Sequence, residues 1–215
     1  MRGLERFAPL AGVLFVLLVI AAVIVGGESP SADDSLQTVI EYFDGDRDSA
    51  LAASIILSIA VVPFLWFAGL LRSVLAAAEG PPTRLASTAW GGAVVLAVGI
   101  TLLAGFTFVA ADTVGDVPPA VTQTYSVAQA DLFFPVMVGA TVFLLASGLA
   151  IVRSAALPAW LGWAAVVLGI AAITFSPAAF FAILLMLVWI VVSSVMLFQR
   201  GADTRPAVPP AQGQI

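Results

Sequence analysis

The chain has 215 residues, a net charge of −5, 61% hydrophobic and 10% charged residues, and a mean hydropathy of +1.11. These values exclude a water-soluble globular domain, in which about a quarter of the residues are charged. Cysteine and histidine do not occur, which excludes disulfides, thiolate metal sites, cysteine nucleophiles and the imidazole as ligand, base or pH switch.

Six apolar stretches, each about as long as a bilayer is thick, occupy most of the chain: Pro9 to Val25, Ser49 to Leu71, Ser87 to Ala111, Asp131 to Val152, Pro158 to Thr174 and Pro177 to Phe198. A hydrocarbon core of roughly 30 Å needs ~20 helical residues to cross it, so the sequence predicts an all-α polytopic membrane protein. The expected fold is one six-helix transmembrane domain over residues 1–198, followed by a disordered tail over 199–215.

Lysine is absent, so arginine alone sets the orientation. With a cytoplasmic N-terminus, Arg2, Arg6, Arg72, Arg84, Arg153, Arg200 and Arg205 fall inside and Arg47 outside, which satisfies the positive-inside rule. The acids mirror this: Glu28, Asp33, Asp34, Glu41, Asp44, Asp46, Asp48, Asp112, Asp116 and Asp131 fall outside, and Glu5, Glu79 and Asp203 inside. Both termini are therefore expected to be cytoplasmic. The first span could instead serve as a cleaved signal peptide, but the run from Phe7 to Val25 exceeds the usual 7 to 15 residues of such a core by roughly a turn or more, so a retained helix is expected.

The first outer connection, Gly26 to Asp48, carries a short helix pattern. Asp34 with Gln37 resembles a capping box, and Leu36, Val39, Ile40 and Phe43 recur at helical spacing opposite Gln37, Glu41 and Asp44. An amphipathic helix lying at the outer interface is expected. Asp44, Asp46 and Asp48 do not fit a calcium loop, which places glycine sixth and a bidentate glutamate twelfth; they read as negative charge complementing the N-terminus of the second span.

Pro63 is expected to kink the second span, and Glu79-Gly80-Pro81-Pro82 to stop a helix that outlasts the membrane. Small residues predict packing seams: Ala89, Ala93, Ala97, Thr101 and Gly105 on the third span, and Gly162, Ala165, Gly169, Ala172 and Ser176 on the fifth. No ionisable residue lies at mid-depth. The mid-span hydroxyls of Ser54, Ser58, Thr101, Thr141 and Ser147 can bond their own helix backbones. Arg47, Asp112 and Asp131 share the outer level and form the candidate polar cluster at the outer mouth; alternatively Asp131 simply caps and charges the start of the fourth helix, which Pro135 either bends or enters tolerably in its first turn. Thr174-Phe175-Ser176-Pro177 predicts a tight hairpin with a cap and an N1 proline, and Trp160, Trp163 and Trp90 fall where an inner aromatic belt is expected.

The segments Leu4 to Gly12, Leu65 to Arg72, Asp131 to Pro135 and Leu157 to Trp163 together resemble small multi-pass membrane proteins of high-GC Gram-positive bacteria that form a domain family of unknown function. The resemblance implies a six-helix fold and a bacterial plasma-membrane location, and lends no functional residue.

No catalytic, cofactor or metal residue is expected. Three functions remain: a non-enzymatic scaffold, sensor or partner-binding protein; a small-molecule or lipid transporter with a cavity opening outward; and, weakest, an intramembrane enzyme drawing on Asp112, Asp131 or Glu41 with Arg47. The expected partners are the lipid bilayer and a membrane protein or second copy, not nucleic acid.

Overall fold

The computed structural model describes residues 8–31, 33–131, 133–174 and 176–203; for 130, 131 and 201–203 it gives helical placement only. All regular elements among them are helical. A single 3-10 turn, Ala8–Leu10, leads into α1 (Ala11–Gly26), α2 (Leu36–Gly45), α3 (Arg47–Glu79), α4 (Arg84–Thr113), α5 (Pro119–Asp131), α6 (Phe133–Ser154), α7 (Ala159–Ala172) and α8 (Pro177–Asp203).

Five runs are long and apolar enough to cross a membrane: Ala8–Gly26, Arg47–Glu79, Arg84–Thr113, Pro119–Ser154 taken as one run, and Pro177–Arg200. The remaining apolar stretch forms a helix of 14 residues, about 21 Å at 1.5 Å per residue, which is shorter than a hydrocarbon core of roughly 30 Å.

The helices close into a ring, with α1 packed on α3, α3 on α4, α4 on α6, α6 on α7, α7 on α8, and α8 back on α1. A file of aromatic rings crosses the centre. Phe15 of α1 lies 4.9 Å from Phe64 of α3, Phe64 lies 5.8 Å from Phe143 of α6, and Phe143 lies 5.9 Å from Trp189 of α8. All four are buried. Pro63 sits beside this file, and α3 passes it without interruption.

Glycine decides the closest contact. A Cβ on Gly92 of α4 would stand 2.3 Å from the Phe143 nitrogen of α6, and one on Gly139 of α6 would stand 2.3 Å from the Leu96 nitrogen of α4. The α4–α6 seam therefore runs through Gly92, Leu96 and Gly99. The expected stripe holds only at its start: Ala89, Ala93 and Ala97 are buried, whereas Thr101 and Gly105 are exposed. On α7 the expected seam holds further, with Gly162, Ala165, Gly169 and Ala172 buried and Ser176 exposed.

The expected interfacial helix is α2. Its cap is Ser35, whose Oγ accepts from the Thr38 amide at 3.2 Å, and not Asp34, whose carboxylate accepts from the Ser31 amide at 2.7 Å. Both residue types cap well, and the register settled on the later one. Helix α5 fills a stretch expected to be loop. Helices α2 and α5 pack together as a cap; beneath it Val39 and Phe43 of α2, Ala50 of α3, Ala110 and Ala111 of α4 and Val114 form a small core against which Tyr125 of α5 packs. At the far end of α3, Gly80 adopts φ +71 and its amide bonds the Ala76 carbonyl, as the stop signal requires. Helix α8 continues to Asp203, five residues beyond the expected end of the last span, and the rest of the expected tail lies outside the described residues.

Candidate functional site

Arg47 is the first residue of α3, and Asp112 is the penultimate residue of α4. The guanidinium of Arg47 donates to the Asp112 main-chain carbonyl at 2.7 Å, while the Asp112 carboxylate stands 3.9 Å away. Of the three clustered residues, Arg47 and Asp112 therefore meet, chiefly through the backbone. The last carbonyls of a helix lack intrahelical donors, and a cation there also complements the helix dipole, so Arg47 acts as a C-terminal cap for α4. Both side chains are about half exposed, at 45% and 56%. The side chain of Asp131 lies outside the described residues.

Beside this pair, under the cap, lies a cavity of about 210 Å³. Val23 at the end of α1, Tyr42 of α2, Ala53 and Ser54 of α3, Thr107 of α4 and Gln129 of α5 contribute to its wall. Neither Arg47 nor Asp112 does. Most polar groups in the wall are already engaged: Tyr42 Oη donates to the Gly26 carbonyl at 2.7 Å, Ser54 Oγ to the Leu51 carbonyl at 2.7 Å, and Thr107 Oγ1 to the Leu103 carbonyl at 3.1 Å. The Tyr42 bond ties the lid helix α2 to the end of α1. The cavity is small beside the roughly 300–1,000 Å³ of common ligand sites, and its chemistry suits an uncharged, largely apolar group.

Helix α5 adds what sequence reasoning missed. Thr122, Ser126 and Gln129 recur at helical spacing on one of its faces; Gln129 reaches the cavity, and Thr122 and Ser126 are buried with no hydrogen-bond partner among the described residues. The signal is absent from the sequence because this inward face is polar.

Elsewhere the hydroxyls divide. Ser58 and Thr101 bond the carbonyls of Ser54 and Ala97, as expected for hydroxyls inside helices, whereas Thr141 and Ser147 are buried without a partner among the described residues. Trp160 and Trp163 are more than half exposed on the surface of the bundle, and Trp189 is buried. Among the described residues, no group of three acidic side chains is placed to hold a metal ion. No protein-family model matches the chain, and no curated protein or solved structure matches it either.

Proposed function

We propose that this is a non-enzymatic protein of the bacterial plasma membrane that binds a small uncharged or apolar group, or a partner bearing one, at a lidded outer mouth. In this reading all six apolar helices traverse the bilayer, α7 doing so as a short helix held between α6 and α8, with both termini cytoplasmic. The arginine asymmetry supports that orientation, and the resemblance to small multi-pass proteins of high-GC Gram-positive bacteria supports the location.

The observation that carries the binding reading is the arrangement of cavity and core. The cavity opens under α2, and the file from Phe15 through Phe64 and Phe143 to Trp189 fills the bundle across its centre. The file lies about two helical turns deeper than the cavity, Phe15 below Ala22 and Phe64 below Leu57; a pocket above a packed interior receives a ligand and holds it. The second reading, an outward-opening transporter, draws on the same cavity but requires the aromatic file to part.

Native mass spectrometry of protein released from its own membranes tests the proposal. The wild type is expected to carry a small adduct that is lost in Ser54→Phe, which fills the cavity. An adduct-free wild type, or an adduct that survives the substitution, refutes mouth binding. Uptake of glycerol, sugars or amino acids by proteoliposomes of the purified chain would move the assignment to transport.

A further inference from the structure

Helices α7 and α8 are pinned together at one level and stand apart around it. The indole of Trp189, 3% exposed, donates from α8 to the Leu161 carbonyl of α7 at 2.9 Å. Over this bond the helices leave a surface groove of about 450 Å³, with Trp163, Ala164 and Val167 on one wall, Leu185 and Val188 on the other, and Trp189 as its floor. It follows α7 from Trp160 to Leu168, a length of about 12 Å.

In a bilayer such a groove is filled by lipid tails; charge at its end selects among them. Arg200 of α8 donates to the Ala156 carbonyl, which holds its guanidinium beside the segment leading into Trp160. Arg72, Arg84 and Arg153 stand at the same end of the bundle. The carboxylate described there, that of Glu79, is occupied by the amides of Leu85 and Ala86, each at 3.0 Å. Among the described residues, four arginines against one engaged carboxylate leave positive charge in excess at this end, which attracts anionic headgroups. Trp160 and Trp163, 56% and 57% exposed, place amphipathic rings at the same mouth, as tryptophan does at headgroup level.

We infer that the groove seats an anionic phospholipid, one acyl chain lying along Val167 and Leu185 and its phosphate at Arg200. The inference requires the bundle to sit in a bilayer and is independent of what the outer mouth binds.

Tryptophan quenching by brominated lipids tests it. The chain carrying Trp66→Phe and Trp90→Phe, which removes emission from outside the groove, is reconstituted in phosphatidylcholine vesicles. A small fraction of the lipid is then replaced by brominated phosphatidylglycerol or, in parallel, by brominated phosphatidylcholine. The expected result is a preference of about fivefold for the anionic lipid, the factor that one basic residue near an anionic surface supplies. Arg200→Gln should abolish the preference, Arg200→Lys should retain it, and Ala164→Phe, which fills the groove, should reduce quenching by both lipids. Equal quenching by the two lipids overturns the inference, as does a preference that survives both Arg200→Gln and Ala164→Phe. Should Arg200→Gln fail to fold, the comparison of Ala164→Phe with Arg200→Lys decides the question alone.

Discussion

Arg47 and Glu79, the first and last residues of α3, cap the two ends of α4. Arg47 donates to the Asp112 carbonyl in the last turn, and the Glu79 carboxylate accepts from the amides of Leu85 and Ala86 in the first turn. A cation at the C-terminus and an anion at the N-terminus both complement the dipole of α4. Two residues that looked in the sequence like an outer-mouth cation and part of a loop breaker thus fix the register of one antiparallel helix pair.

From this geometry, the backbone bond of Arg47 should matter more than its ion pair. Arg47→Gln is expected to cost about 0.3–1 kcal/mol of stability, the usual worth of an exposed charge at a helix end. Asp112→Asn should stay within about 0.5 kcal/mol of wild type, because its carbonyl is unchanged and exposed ion pairs contribute little. Thermal unfolding in detergent, followed by circular dichroism, ranks the two; an Asp112→Asn loss equal to that of Arg47→Gln would show that the carboxylate carries the contact.

At the other end, Thr83 precedes α4 without capping it through its side chain, so Glu79 serves the first amides in its place. Glu79→Ala should lower the melting temperature clearly, while Glu79→Gln, which keeps one acceptor oxygen, should fall in between. Equal melting of all three proteins would remove Glu79 from this role.

Close backbone approach gives the largest expected effects. Gly92→Ala and Gly139→Ala each push a methyl into the backbone of the facing helix and should cost about 1–3 kcal/mol by overpacking. At Gly91 and Gly105 an added Cβ would meet nothing within 4 Å, so alanine there should be neutral or stabilising by up to about 1 kcal/mol through helix propensity. Unfolding in detergent with increasing dodecyl sulfate separates the pairs, and similar losses at all four sites would contradict the seam.

Those glycines also show where sequence reading stopped. The expected stripe on α4 repeats every four residues, which overshoots a turn by roughly 40° each time and winds about 160° round the helix by Gly105. Ala89 to Ala97 therefore pack, and Thr101 and Gly105 do not. The stripe on α7 alternates threes and fours, stays on one face, and is buried from Gly162 to Ala172. Apolar length announced the long helices, and Gly80 and Ser176-Pro177 announced their ends, because these signals are local. Helix α5 gave no signal, since its buried face is made of Thr122 and Ser126, and the choice of Ser35 over Asp34 as cap depends on a register that adjacent capping residues leave open. In the candidate site, charge and level grouped Arg47 with Asp112 and Asp131 without choosing between the two acids, and the cavity beside them gave no signal, because its wall is mostly alanine, glycine and engaged hydroxyls drawn from five elements.

The lid offers a direct readout of the mouth. Tyr42→Phe removes the bond to the Gly26 carbonyl and should cost about 0.5–1.5 kcal/mol, shared between overall stability and lid opening. With no native cysteine in the chain, Ala53→Cys places a single thiol in the cavity wall. Its labelling by a maleimide is expected to be slow in the otherwise native protein and several-fold faster with Tyr42→Phe. Identical rates would show that the tyrosine bond does not hold the lid.

The same absence of cysteine makes the orientation measurable one position at a time. Ser29→Cys and Thr124→Cys lie at the end carrying α2 and α5; Ala77→Cys and Gln199→Cys lie at the end where Arg200 meets Ala156. All four positions are exposed. In intact cells, a membrane-impermeant maleimide should label the first two and spare the second two until the membrane is opened, as the arginine asymmetry requires. Labelling of Gln199→Cys alone among the second pair would mean that α7 and α8 do not complete two crossings between Arg153 and the C-terminal end. Since α7 spans only 14 residues, this position is the one that separates six crossings from five.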